Sequence, residues 1–166
     1  MPPKKQIAES MILDKAYELT RQYGFESFTA RSLAKSLGCS TQPIYQAFSD
    51  MQGLKARVTA LAISAMFKHI RDHMDAALPR DLAALLGYIH FALQEKRLFQ
   101  LIATSGTGLS DIPRGSGYLA DLQIDMKMIV FANGIVMMSA FQALDASWEN
   151  IKALTLEAYA AFVQIK

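Results

Sequence analysis

Between residues 29 and 48 the chain reads TARSLAKSLGCSTQPIYQAF. Two short stretches of apolar periodicity are parted by one glycine. This limits the fold more than any other feature of the sequence. Leu33, Ala34 and Leu37 recur at helical spacing, with Thr29 in front as an N-cap. Gly38 follows the last of them and supplies the positive φ that a tight turn between helices requires. A second helix is expected from Ser40, its N-cap, to about Phe48, with Ile44, Tyr45 and Phe48 facing inward or toward the turn. Pro43 then falls third in that helix, where no intrahelical donor is lost. The Ser40 hydroxyl would have to cap the Gln42 amide, and Pro43 would push Gln42 toward extended geometry.

The same periodicity runs through the rest of the sequence. No clean alternation bounded by hairpin turns occurs, so the predicted fold is all-α. A first helix is expected over residues 7–23, with Ile12, Ala16, Leu19 and Tyr23 on one face and Gly24 as its stop. A longer helix is expected from about residue 50 to 77, before Pro79. Others are expected at 81–94, 96–104, 117–144 and 148–164. These divide into a three-helix N-terminal domain over residues 1–50 and a helical effector-binding and dimerisation domain over 51–166.

Composition narrows the function. Apolar residues make up 52% of the 166 residues and the net charge is only +2. A wholesale disordered chain and a polycation are both excluded. The basic excess lies toward the N-terminus. Residues 1–57 carry eight Lys/Arg against five Asp/Glu, and the remainder carries nine against ten. Cys39 is the single cysteine. It allows no intramolecular disulfide and fits a reducing cytoplasm, which is the expected location. The N-terminus has lysines but no apolar run after them, so no secretory signal is read. The stretch 128–144 is interrupted by Asn133, Ser139 and Gln142, and reads as a buried helix rather than a membrane span.

Two short helices joined at 38–40 form a helix-turn-helix pattern, whose second helix enters the major groove of double-stranded DNA by its N-terminal end. Thr41, Gln42 and Gln46 are the polar residues at that end. Gln both donates and accepts, which suits an adenine edge. Arg31, Lys35 and the tail residues Lys4 and Lys5 could meet phosphates, although Arg31 and Lys35 could equally form a solvated face.

The chain from Ile12 to Leu54 resembles the N-terminal domain of TetR-family regulators. The resemblance rests on Ile12, Leu13, Ala16, Gly24, Phe25, Thr29, Leu33, Ala34, Gly38, Ser40, Ile44, Tyr45, Phe48 and Leu54 in that order and spacing. It implies a homodimeric repressor reading a palindromic operator, and a C-terminal domain that binds an effector. It also implies phosphate contacts from Thr29 and Tyr45 and base contacts from Thr41, Gln42 and Gln46, with Ser40 and Pro43 at the same tip. Two positions depart from the family pattern: Ala47 stands where His is usual and Met51 where Lys is usual. Lys55, one turn later, is the candidate replacement for that lysine.

The remaining residue clusters are less specific. Met66, Tyr88, Phe91, Phe99, Met126, Phe131 and Trp148 are candidates for an apolar or aromatic effector pocket, against the plainer reading of core and interface. The last two helices would form the dimer interface, with Ala132, Gly134, Ala140 and Ala143 allowing close approach and Ile135, Val136, Ala158, Phe162 and Ile165 adding apolar contact. His69 and His73 stand four apart, but Ile70 occupies the place of the zinc-protease Glu and no third ligand is evident in the sequence. A solvent-facing pair, no metal and no cofactor are expected. The glycine-rich run 104–117 lacks the Lys-Ser/Thr of a phosphate loop, and no nucleophile constellation stands out, so enzymatic activity is not expected. Two rival readings remain: a degenerate regulator acting as a non-DNA-binding interaction protein, and a small-molecule enzyme built on the C-terminal helices.

Overall fold

A computed structural model describes residues 7–105, 125–140 and 147–164. These form α1 (Glu9–Tyr23), α2 (Ala30–Leu37), α3 (Gln42–Phe48), α4 (Met51–Asp72), α5 (Arg80–Gln94), α6 (Lys96–Thr104), α7 (Met126–Ala140) and α8 (Trp148–Gln164), with one 3-10 turn at Phe25–Ser27. No strand occurs among the described residues, and the fold is all-α. None of their helices is long and apolar enough to cross a membrane.

The chain forms two compact units. The first takes Met1–Ser64 and Lys96–Thr107, and the second takes Ala65–Glu95 and Gly108–Lys166. Helix α4 therefore contributes to both. In the first unit, Ile12 and Ala16 of α1, Leu33 and Ala34 of α2, Ile44 and Phe48 of α3, Leu54 and Val58 of α4, and Leu101 of α6 share one core. Leu54 and Val58 lie beyond the boundary expected at residue 50, yet they complete the core that holds the short helices. A buried Leu or Ile at such a site typically contributes about 2–5 kcal/mol against its Ala variant.

Four helices differ from expectation: α1, α3, α4 and α7. Helix α7 begins at Met126 rather than at about residue 117, residues 117–124 and 141–144 lying outside the described ones. In α1 the buried stripe is Ile12, Ala16 and Thr20, while Leu19 is half-buried and Tyr23 is exposed. Thr20 tolerates burial because its hydroxyl donates to the Ala16 carbonyl at 2.7 Å, so no polar group is orphaned. Helix α4 stops at Asp72 rather than near residue 77. The Asp75 carboxylate accepts from the Ala77 amide at 2.9 Å, and the Leu78 amide donates to the Asp75 carbonyl at 3.1 Å. This local turn diverts backbone groups that a continued helix would need.

In the second unit α5 is buried nearly all round and packs on α7 and α8. Leu82, Leu86, Ile89 and Phe91 meet a core that also holds Met128, Ala132, Ile135 and Ile151. Two phenols tie the helices with polar contacts. The Tyr88 hydroxyl donates to Asn133 Oδ1 at 2.8 Å, and burial pushes its pKa well up. The Tyr159 hydroxyl donates to the Asp81 carboxylate at 3.0 Å.

Candidate nucleic-acid interface

The geometry of the interface starts at Thr29. Its Oγ1 accepts from the Ser32 amide at 3.2 Å, while the Ser32 hydroxyl oxygen accepts from the Thr29 amide at 2.9 Å. This reciprocal capping box fixes the start of α2. At the other end Gly38 takes the left-handed conformation, φ 68° and ψ 33°. Its amide donates to the Lys35 carbonyl at 3.1 Å, and the Cys39 amide donates to Ala34 at 3.0 Å. That pair of bonds is a Schellman closure, and it ends α2 within one residue. Cys39 is half-buried and packs against the core, in keeping with a small apolar role.

The start of α3 corrects the expected cap. The helix begins at Gln42, its N-cap is Thr41 rather than Ser40, and no side chain caps it. The Thr41 carbonyl accepts from the Ile44 amide at 3.1 Å and from Tyr45 at 3.3 Å. Pro43 is second in the helix rather than third, where its preset φ helps and its missing donor costs nothing. Gln42 stays helical despite the proline after it, because the buried Ile44 and Phe48 anchor the turn.

Those two anchors define the opposite face. Gln42, Tyr45 and Gln46 lie together on the solvent side of α3, and Tyr45 is 48% exposed. Tyr45 therefore does not face inward as the periodicity predicts; its phenol is open to solvent instead. Ser40 is exposed, while Thr41 and Pro43 are half-buried at the tip. On α2, Arg31 and Lys35 are exposed one turn apart, and neither makes an ion pair among the described residues. Lys4 and Lys5 lie outside the described residues.

The two departures from the family pattern have a packing explanation. Ala47 and Met51 are partly buried against the first unit's core, so neither offers a polar atom to DNA. Lys55 is not a free substitute. Its ammonium pairs with Glu26 at 2.6 Å and stands 5.7 Å from the centre of the Phe25 ring. Sequence reasoning missed this pairing because 29 residues separate the partners.

The candidate effector residues are dispersed. Met66 and Phe91 are fully buried core, Met126 is exposed, and Phe99 belongs to the first unit. Tyr88 and Phe131 are half-buried. Trp148 lines a cleft of about 250 Å³ in the second unit, beside His73 and His90. The expected solvent-facing histidine pair is also revised: His69 is half-buried, and its Nε2 lies 2.9 Å from His90 Nδ1.

On the two helices expected to dimerise, Ala132, Ile135 and Val136 are buried within the protomer, and Phe162 is half-buried with its ring 6.3 Å from Phe131. They are spent on the internal core. Gly134 and Ala140 are exposed, Ala158 is half-buried, and Ala143 and Ile165 lie outside the described residues.

Residues 12–58 match the family described as bacterial regulatory proteins, tetR family. Comparison with curated proteins finds none that matches the chain.

Proposed function

By its residues 12–58 this chain belongs to the tetR family of bacterial regulatory proteins, a DNA-binding transcriptional regulator, and on that footing we propose that it is a homodimeric, ligand-responsive repressor of a palindromic operator. One observation carries the reading: α3 turns Gln42, Tyr45 and Gln46 to solvent on the side opposite its buried anchors Ile44 and Phe48. Gln42 and Gln46, with Thr41 at the tip, read base edges, and Tyr45 and Thr29 hold phosphates. Thr29 can do both of its jobs, since its oxygen accepts from Ser32 while its O–H can donate to a phosphate. Arg31 and Lys35 add charge on the neighbouring helix.

The dimer reading is supported by α7. Met126, Val130, Gly134 and Met137 recur every three or four residues, and all are exposed. A stripe of this kind on one protomer suits isologous packing on the same stripe of a second. Such a dimer would set the two α3 helices one or more turns of DNA apart, roughly 34–36 Å per turn. The effector acts by binding one arrangement of the dimer better than the other, and the second unit is its place.

The rival reading, a regulator fold that has left DNA, draws on Ala47 and Met51 in the core and on Lys55 held by Glu26. Gel-shift titration of the full chain against the region upstream of its own gene separates the two. A salt-sensitive, sequence-selective shift supports the repressor. The absence of any such shift below the concentration at which the protein aggregates overturns it.

A further inference from the structure

Three histidines meet in the second unit, whereas α3 belongs to the first. His69 and His73 stand one turn apart at the C-terminal end of α4, and His90 comes from α5. Gly87 explains how the third arrives. A Cβ at Gly87 would stand 3.0 Å from the Ile70 Cα, so the absence of a side chain lets α5 lie directly against α4 there. His90, three residues further along α5, then falls beside His69.

The donor atoms are already gathered. His69 Nε2 and His90 Nδ1 lie 2.9 Å apart, and one ligand atom from each of the three rings lies within 4.8 Å of the others. The His69 and His73 rings stack with centres 4.0 Å apart. His73 Nδ1 lies 2.8 Å from the His69 carbonyl oxygen. That contact makes Nδ1–H the donor and leaves Nε2 with its lone pair free, the second-sphere arrangement that orients histidine ligands. Tetrahedral bonds of about 2.0–2.1 Å place neighbouring nitrogens about 3.3–3.4 Å apart. The observed spacings bracket that value, so modest ring rotations suffice.

Burial first, then repulsion among the rings, holds His69 and His90 below the ordinary imidazole pKa. Glu95 and Asp72 act on His69 in the opposite sense. Asp75 and Lys152 both line the adjoining cleft, so their formal charges cancel there. We propose that His69, His73 and His90 bind one divalent transition-metal ion per chain at the crossing of α4 and α5. An all-imidazole donor set selects Zn²⁺ and its neighbours Co²⁺, Ni²⁺ and Cu²⁺ over Mg²⁺ or Ca²⁺. Three protein donors leave the fourth position open to water from the cleft. On binding, the hydrogen bond between His69 and His90 gives way to two metal–nitrogen bonds, and the shared proton moves to the other nitrogen of its own ring. The site rests on the second unit alone and stands or falls independently of DNA binding.

Trp148 supplies the readout. It is the single tryptophan of the chain, and its ring centre lies 4.7 Å from that of His90. The full chain, stripped with a chelator, is titrated with Co²⁺ while Trp148 fluorescence and the visible absorption of the cobalt are followed. The expected result is quenching that saturates at one Co²⁺ per chain, with a four-coordinate cobalt spectrum. Zn²⁺ then reverses both signals and Mg²⁺ does not. His73→Gln and His90→Gln each weaken binding by at least about tenfold, the range set by loss of even outer-sphere partners. His73 is exposed, so its replacement leaves the core intact, and far-ultraviolet circular dichroism of both variants verifies the helices. Absence of saturable binding by the unmodified chain overturns the proposal. So does binding that survives both substitutions, or that is lost in Cys39→Ser instead.

Discussion

A Cβ placed on Gly53 would stand 2.2 Å from the carbonyl oxygen of Phe48. The first turn of α4 therefore lies on the C-terminal end of α3, and only hydrogen fits between them. The junction is tightened by the Asp50 carboxylate, which accepts from the Gly53 amide at 2.7 Å, and by Ser49, which takes a positive φ of 63°. Because the contact is with backbone, no rotamer change can relieve it. Gly53→Ala is expected to cost about 1–3 kcal/mol in urea unfolding, the range of an overpacked contact. It should also lower DNA affinity by displacing α3. Unchanged stability and affinity would refute the close approach.

Tyr45 and Gln42 share the exposed face of α3 but are assigned different work. Tyr45→Phe removes one hydroxyl from an exposed ring and should weaken binding to specific and random DNA by similar factors. Gln42→Ala should instead change which base is preferred, by about 1–3 kcal/mol of discrimination at one position. Selection of bound sequences from a random pool, run on both variants, checks the division. Equal losses on every sequence for both would contradict it.

Under the proposed function Thr29 has a contact role beside its capping role, and two substitutions bear on both. Thr29→Ala removes the cap, worth about 1 kcal/mol, and the phosphate donor together. Thr29→Ser keeps both hydroxyl functions and should restore stability and affinity alike. A serine variant that regained stability but not DNA affinity would show that the methyl group, rather than the hydroxyl, faces the backbone of the DNA.

The parts of the fold that were legible in the sequence are those specified locally. Thr29 as a cap, Gly38 as a left-handed stop, and the Ile44 and Phe48 anchors all follow from residues within one turn of each other. The limits of α6 and α8 follow from the same kind of signal. Less legible is a choice between neighbours that packing decides: Ser40 and Thr41 are both competent caps, and the burial of Ile44 and Phe48 selects the later start. Contacts between partners on different helices are not legible either. Neither Glu26 beside Lys55 nor His90 beside His69 leaves any trace in spacing, and the glycine that admits His90 reads in the sequence only as a weak point in a helix.

Gly87 itself can be tested through that consequence. Gly87→Ala places a methyl group against the Ile70 backbone and should push α5 from α4. Cobalt affinity at the three histidines is expected to fall by roughly tenfold although no donor is altered, a loss comparable to that of an outer-sphere ligand partner. Retention of full affinity in a variant with normal helical content would show that the crossing does not position His90.

Lys55 offers a gain-of-function test. Its ammonium is committed to Glu26 at 2.6 Å. In Glu26→Gln that charge is released on the unit that carries α3. The plot of log affinity against log salt should then steepen by about one, the signature of one more phosphate neutralised. Lys55→Ala in the otherwise unmodified chain should leave the slope unchanged. A slope that falls in Lys55→Ala would mean that the lysine leaves Glu26 for DNA, and the pair would then be a latch rather than a fixed contact.

The exposed stripe of α7 carries the last prediction. Val130 is 64% exposed and Met137 54%, so neither is needed for the protomer's core. A glutamate at either position costs the isolated protomer little. In an isologous interface each substitution occurs twice, about one symmetry axis, and the introduced carboxylates are forced to desolvate near each other. Val130→Glu and Met137→Glu should therefore yield folded monomers by light scattering. Their affinity for a full palindrome should drop toward that for a single half-site, since the second α3 is no longer tethered. Variants that remain dimeric and bind the palindrome normally would move the interface off this stripe.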